Sequence, residues 1–277
     1  MKKILALLLV LVMVLALCAC GGEKKPEETK PEETKTEETK TEENKTEEEV
    51  VVDPAPADET TTEETPAAVT TYADFVDAET ETPVAIDAYL QAKQVYNAEY
   101  KNTSLYLQNE DGAFFVYHIA LSQEDYDALT VGQKLHVTGF KGEWSGEREI
   151  TDAAIEAVEG EAKTFEPLDI TEFWGTVDMI KYQNQLVSFK GAKVEAYDEA
   201  GAAFAYKNPD EKTDDLYYKV TIGDTTYEFC VECDLCGTDS EVYKTVEGLK
   251  VGDTVDLEGF LYWYEGPNLH TTAVTVK

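Results

Sequence analysis

Arginine is nearly missing from this chain: of 277 residues only Arg148 is one, and 23 Lys and Arg together face 57 Asp and Glu, a formal net charge of −34. Proteins that grip nucleic acid neutralise phosphates with clustered basic residues, and a field of this sign repels them. Histidine is almost as scarce, at His118, His136 and His270. None belongs to an H-E-x-x-H pair or to a Ser-His-Asp spacing, and no phosphate-cradling glycine loop is present. The sequence therefore signals neither an enzyme nor a cofactor. It also lacks a long apolar run. The longest, Ile4 to Ala19, has 16 residues, short of the about 20 that a membrane-spanning helix needs.

That run has a different reading. Lys2 and Lys3 precede it and Leu17-Cys18-Ala19-Cys20 closes it, the layout of a secretory signal. The closing tetrad resembles the lipobox of bacterial lipoproteins, although Cys18 departs from the small residue usual at its place. The resemblance implies a signal peptide at 1–19, cleavage before Cys20, and a diacylglycerol on the Cys20 thiol. The expected location is the cell membrane, lipid-anchored, on the extracytoplasmic side. Two acyl chains make such an anchor stable where one is marginal.

After Gly21 and Gly22 a pentad recurs five times, beginning at Pro26, Pro31, Thr36, Thr41 and Thr46. A period of five fits neither a helix face nor a strand face. The first four pentads hold no apolar residue, so nothing can be buried to offset the entropy of ordering. Residues 20–70 read as the lipidated cysteine and a disordered spacer with a mean span of about 40 Å.

A repeat organises the rest. Leu129-Thr130-Val131-Gly132 through Val137-Thr138-Gly139-Phe140 aligns with Leu249-Lys250-Val251-Gly252 through Leu257-Glu258-Gly259-Phe260 at an offset of 120, and Trp144 meets Tyr264. One fold unit appears twice, dividing the chain into 71–165 and 166–277. In the first copy, strands are expected at Val84–Tyr96, Ser104–Leu107, Ala113–Ile119, Lys134–Trp144 and Glu147–Val158, with Asp111-Gly112 as a turn. A short helix capped by Ser122 runs to Leu129. The second copy offers Leu186–Tyr197, Ala203–Tyr206 and Leu216–Cys233, a helix at Asp239–Leu249, then Thr254–Tyr264 and Leu269–Val276. Three strands, a helix and two strands resemble the OB-fold, a five-stranded Greek-key barrel. The stretch Lys134–Ile150, with Val137-Thr138-Gly139 before Trp144-Ser145-Gly146-Glu147, also resembles OB domains of secreted bacterial proteins, many of them lipoproteins. The fold expected is mainly β: two tandem five-stranded OB-like barrels, each with a short helix between strands 3 and 4, after a disordered N-terminal tether. A small β-sandwich is the alternative.

Aromatics are the best functional lead. Phe260-Leu261-Tyr262-Trp263-Tyr264 crowds four rings into five residues. Alternation puts Phe260, Tyr262 and Tyr264 on one face and Leu261 and Trp263 on the other. OB-folds commonly bind ligands near these strands, so Trp144, Glu147, Tyr262, Trp263 and Tyr264 are candidate ligand-binding residues, with inter-domain packing as the competing role. Cys230, Cys233 and Cys236 suggest a metal site only weakly, since a closed zinc site needs four ligands. A disulfide or inert buried thiols are the alternatives. By parity His118 shares a face with Phe114 and Ala120 as an ordinary strand residue. Asp210, Asp214 and Asp215 read as a solvated acidic turn. The function expected is a membrane-anchored, non-enzymatic binding or scaffold module for a protein or a cell-wall saccharide. Single-stranded nucleic-acid binding and an extracellular hydrolase accessory domain are the alternatives, with nucleic acid disfavoured by charge.

Overall fold

A computed structural model describes residues 68–277, Glu211 excepted. The expected signal peptide, Cys20 and the expected spacer up to residue 67 lie outside the described residues.

The first barrel grows from alternation. In β1 (Pro83–Lys93) Val84, Ile86, Ala88 and Leu90 turn inward. They meet Leu105 and Leu107 of β2 (Asn102–Gln108) and Phe114 and Val116 of β3 (Ala113–Ala120) in one apolar cluster. Each Val, Ile, Leu or Phe side chain among them, fully buried, contributes roughly 1.5–3 kcal/mol. Asn109 shapes the β2–β3 turn: its Oδ1 accepts from the Asp111 and Gly112 amides at 3.0 and 3.1 Å. Helix α2 (Gln123–Ala128) is capped by Ser122, whose Oγ accepts from the Asp125 amide at 3.1 Å. Strands β4 (Lys134–Trp144) and β5 (Glu147–Ala157) complete the unit. β1 pairs antiparallel with β2 and β4, β2 with β3, and β4 with β5. A short parallel contact of β3 with β5, Phe115 opposite Glu149 and Val116 opposite Ile150, closes the barrel. An additional helix, α1 (Tyr72–Asp77), stops one end with Phe75, whose ring meets Phe114 edge-on at 5.2 Å. The buried Lys141 ammonium holds it by donating to the Phe75 carbonyl at 3.0 Å.

The second barrel repeats the plan. After β6 (Leu168–Asp169) and two short 3-10 helices come β7 (Leu186–Glu195), β8 (Phe204–Tyr206), β9 (Leu216–Ile222) and β10 (Thr225–Val231). Helices α3 (Cys233–Cys236) and α4 (Glu241–Glu247) follow, then β11 (Thr254–Trp263) and β12 (Pro267–Val276). β7 pairs with β9 and β11, β9 with β10, β11 with β12, and β10 runs parallel to β12 at Cys230 and His270. Both barrels thus have the strand order of the OB-fold, each with helix between strands 3 and 4.

Two expectations need correction here. The run Leu216–Cys233 is not one strand: it folds into the β9–β10 hairpin, turning at Gly223, whose φ is +62°, and Asp224. The segment Ala203–Tyr206 is not the second barrel strand. As β8 it pairs with β9 on the outside, and β9 takes the barrel position.

The repeated glycine of Val137-Thr138-Gly139 and Leu257-Glu258-Gly259 has a physical cause. At both places the pairing with the last strand slips by a bulge. A Cβ on Gly139 would sit 2.7 Å from the Thr151 carbonyl oxygen, and one on Gly259 would press on the His270 carbonyl. Bulges and close backbone approach favour glycine for this reason.

Candidate functional site: an aromatic and acidic cleft between the barrels

The two barrels pack as one compact unit. Outward faces of β2 and β3 meet the outward face of β11. Tyr106 stacks on Phe260 with centroids 4.3 Å apart and planes 15° apart, and Phe115 joins the cluster. The fully buried Tyr106 hydroxyl lies 2.7 Å from His270 Nδ1. The same nitrogen is 3.1 Å from Glu232 Oε2, while Gln94 Nε2 donates to Glu232 Oε1 at 2.7 Å. Burial alone would lower the His270 pKa, but Cys230, its neighbour across the β10–β12 pair, and Glu232 outweigh it and hold the pKa well above the usual value. Glu232 correspondingly sits below its ordinary range: burial opposes this, and His270 overcomes it.

Glu147 makes a second clamp. Its Oε1 accepts from Asn184 Nδ2 at 2.6 Å, and its Oε2 accepts from Gln183 Nε2 at 3.0 Å and from the Trp263 amide at 2.8 Å. All three donors come from the segment that leads into and builds the second barrel. Burial raises the Glu147 pKa to about 8 against the pull of these bonds. The Trp263 indole covers Gly146, where φ is +89° and a Cβ would lie 2.8 Å from Trp263 Cδ1. Sequence reasoning offered Glu147 and Trp263 as ligand contacts. The structure corrects both: neither lines the cleft, and each ties one barrel to the other.

Beside this junction opens a cleft of about 820 Å³. Three of the candidates do line it: Trp144, Tyr262 and Tyr264. Trp144 and Tyr264, matched by the repeat, stand 5.1 Å apart at 35°, with 55% and 48% of their surface exposed. Tyr262 lies flat on the His270 ring at 4.4 Å. His118 is not an ordinary strand residue. A bulge opposite Ser104 gives it a φ of +48°, and it lies exposed in the cleft, stacked on Tyr117 at 3.8 Å. His136 is elsewhere, 2.7 Å from Asp87.

The polar lining is acidic. Asp215, Glu228, Glu232 and Asp234 face Lys207 as the one lysine among the described lining residues. Lys207 Nζ is held 3.1 Å from Asp215 and 4.0 Å from Asp214. Asp215 is buried rather than part of a solvated turn, because it accepts from the Cys233 amide at 2.9 Å, whereas Asp210 is exposed as expected. Burial, then Glu232 and Asp215, push the Asp234 pKa up. Glu232 Oε2 and Asn268 Oδ1 are buried acceptors in the wall of the cleft, the first facing the His270 ring at 3.1 Å.

The cysteines do not act as a trio. All three are free thiols. Cys230 faces the cleft, Cys236 Sγ approaches the Thr271 carbonyl at 3.4 Å, and Cys233 lies with Asp214 and Asp215 in the one metal-sized group among the described residues. Burial raises the Cys233 and Cys236 thiols to about 12. Glu232, Asp234, Tyr117 and Asn268 carried no sequence signal. Only the fold brings them together.

No family model matches the sequence, and no curated protein matches it. Solved structures of similar fold include a murine DNA-binding protein bound with double-stranded DNA, 13% identical, with 70% of this chain and 94% of that chain covered at a TM-score of 0.32. The Ifi202 HINa domain in complex with a 20-bp double-stranded DNA is 12% identical over 72% of this chain and 96% of that chain, TM-score 0.31. A replication protein A heterotrimer bound to single-stranded DNA is 12% identical over 70% and 49%, TM-score 0.30. At such scores the likeness carries no argument about a ligand.

Proposed function

We propose that this protein is an extracytoplasmic, lipid-anchored binding protein, without catalytic turnover, that holds a saccharide in the cleft between its two barrels. The observation that carries this reading is the half-exposed pair Trp144 and Tyr264 in one cleft with carboxylates. A sugar ring offers an apolar C–H face to an aromatic surface and a rim of hydroxyl donors to carboxylates and amides. Concave sites that combine apolar walls with a few convergent polar groups are the usual form of small-ligand sites. Position on the membrane rests on the signal and Cys20, and the expected spacer gives the barrels reach toward a ligand outside the cell.

The OB-like strand order of both barrels, a plan that also serves oligonucleotide binding, keeps a nucleic-acid ligand as an arm of the test. The lining favours the saccharide, since its carboxylates would face phosphates. A glycan array followed by titration calorimetry is the deciding experiment. A saccharide should bind, and Trp144→Ala should weaken it about tenfold or more, the loss of one stacked ring. Tight, salt-sensitive binding of a thymidine oligonucleotide with no glycan bound would replace this reading by the nucleic-acid one. For the anchor, Cys20→Ala should abolish fatty-acid labelling and release the protein from the membrane fraction.

A further inference from the structure

We infer that the saccharide held in the cleft is an oligosaccharide that lies on two separate ring platforms, Trp144 with Tyr264 and Tyr117 with His118; this rests on the saccharide reading above. The repeat builds the first platform. The β4–β5 and β11–β12 turns are equivalent at the offset of 120, and they meet where the Glu265 amide donates to the Ser145 carbonyl at 2.8 Å. That bond ties the turns together beside their matched rings, so the platform is set before a ligand arrives.

A bulge builds the second platform. Neighbours on a regular strand point to opposite faces. Here Thr103 opposes Ile119 and Leu105 opposes Val116, so Ser104 alone faces both Tyr117 and His118. The extra residue re-aims a side chain. His118 takes its φ of +48°, its amide donates to Ser104 Oγ at 3.3 Å, and its ring lies against Tyr117 with planes 17° apart. Both residues are exposed. A positive φ is an uncommon and strained state for histidine. What it yields is two near-parallel rings on one wall of the cleft.

Tyr262 and Phe115 stand between the platforms. Tyr262 precedes Tyr264 by two residues, about 7 Å along an extended strand. Phe115 is 5.4 Å from Tyr262 and 6.4 Å from Tyr117. Phe115 is buried, and His270 covers one face of Tyr262. The exposed faces are therefore at the two ends, and one sugar ring cannot cover both. Past Tyr117 and His118 the path continues. β3 and β5 pair only at Phe115–Glu149 and Val116–Ile150. Where they part, a hollow of about 540 Å³ opens, with Thr151 and Asp152 in its wall. The Tyr117–His118 stack lines both the cleft and this hollow. A chain of sugars fits such a path, and a monosaccharide would use a fraction of it.

Titration calorimetry on the full chain with β-1,4-linked oligomers of N-acetylglucosamine and of glucose, each as dimer and hexamer, tests this. The hexamer of whichever sugar binds should be held at least about tenfold more tightly than its dimer, the gain of a second stacked ring. His118→Gly removes one ring of the second platform at a φ that glycine adopts freely, so the circular dichroism spectrum should be unchanged. It should bring the hexamer close to the dimer and leave dimer binding, which needs the first platform alone, in place. Trp144→Ala should weaken both. Equal affinities of dimer and hexamer, or a hexamer preference that survives His118→Gly, would overturn the two-platform inference and leave the saccharide reading standing. Binding of no oligomer of either sugar would overturn both.

Discussion

The two barrels share a strand order and differ in what stops their open ends. In the first, the helix between strands 3 and 4, α2, buries none of its residues. The plug is Phe75, from α1 ahead of the first strand. In the second, the equivalent helix α4 drives Val242, Tyr243 and Val246 into the core, and Trp174 and Met179 from the segment before β7 add to it. The repeat at offset 120 preserves strands, bulges and glycines, but not the plugs. A five-stranded barrel leaves apolar ends that something must cover, and the chain covers them with whichever neighbouring segment carries the large side chain. Pairing geometry is thus the inherited part of the unit, and closure is local.

The strongest test of that contrast is to remove the plugs. Phe75→Ala and Tyr243→Ala should each cost about 3–5 kcal/mol by urea denaturation, as large buried rings do. Tyr126→Ala, at the one half-buried ring of the otherwise exposed α2, should cost about 1 kcal/mol. Equal losses for Tyr126 and Tyr243 would show that both helices plug their barrels and would break the contrast.

Glu147→Ala probes what holds the two units together. It strands the Asn184 and Gln183 side-chain donors and the Trp263 amide, and should cost about 2–4 kcal/mol and split a single melting transition into two. The same group sets a pH dependence. Its folded pKa, about 8, lies above the ordinary carboxylate value, so the native state binds its proton more tightly than the unfolded chain does. Its contribution is full below about pH 4.5 and is lost as pH rises toward 8. Glu149, raised to about 7 by burial, acts in the same direction. Denaturation from pH 5.5 to 8.5 should show stability falling with pH, with a shallower slope in Glu147→Gln.

The smallest effects separate the two tryptophans. Trp263→Ala, which strips the cover from Gly146, should cost about 1–3 kcal/mol, and Trp144→Ala, at a half-exposed ring, should stay within about 0.5 kcal/mol while weakening ligand binding. A larger stability loss at Trp144 would reverse the roles of packing and recognition assigned to them.

Much of the fold was legible because its signals are local. Inward alternation marks β1, Ser122 marks α2, and the offset of 120 aligns β4 with β11 and β5 with β12. The β9–β10 hairpin was hidden because strand-forming residues continue on both sides of Gly223-Asp224, and the turn passed as a strand interior. The site was half legible. Trp144, Tyr262 and Tyr264 were found because exposed rings in a turn and an aromatic strand stand out. Glu147 was misassigned because closeness in sequence to Trp144 says nothing about direction: the side chain turns from the β4–β5 turn into the contact with Gln183 and Asn184. Glu232 and Asp234 stand together at the start of α3 while Asn268 comes from β12, and no spacing rule joins the two before the second barrel is folded.

Each barrel closes through a parallel seam of very few residues, Phe115 and Val116 against Glu149 and Ile150 in one, Cys230 against His270 in the other. Such a seam has few hydrogen bonds to lose, so it is where a barrel breathes most cheaply. Phe115, Cys230 and His270 all line the cleft. An occupant there would rest across both seams at once and slow exchange of the amides at the β3–β5 and β10–β12 seams, leaving the amides that bridge β4 to β5 and β11 to β12 away from those seams little changed. The cleft is in that sense a latch on the closure of two barrels, and exchange rates on strands far apart in sequence become a joint record of whether it is filled.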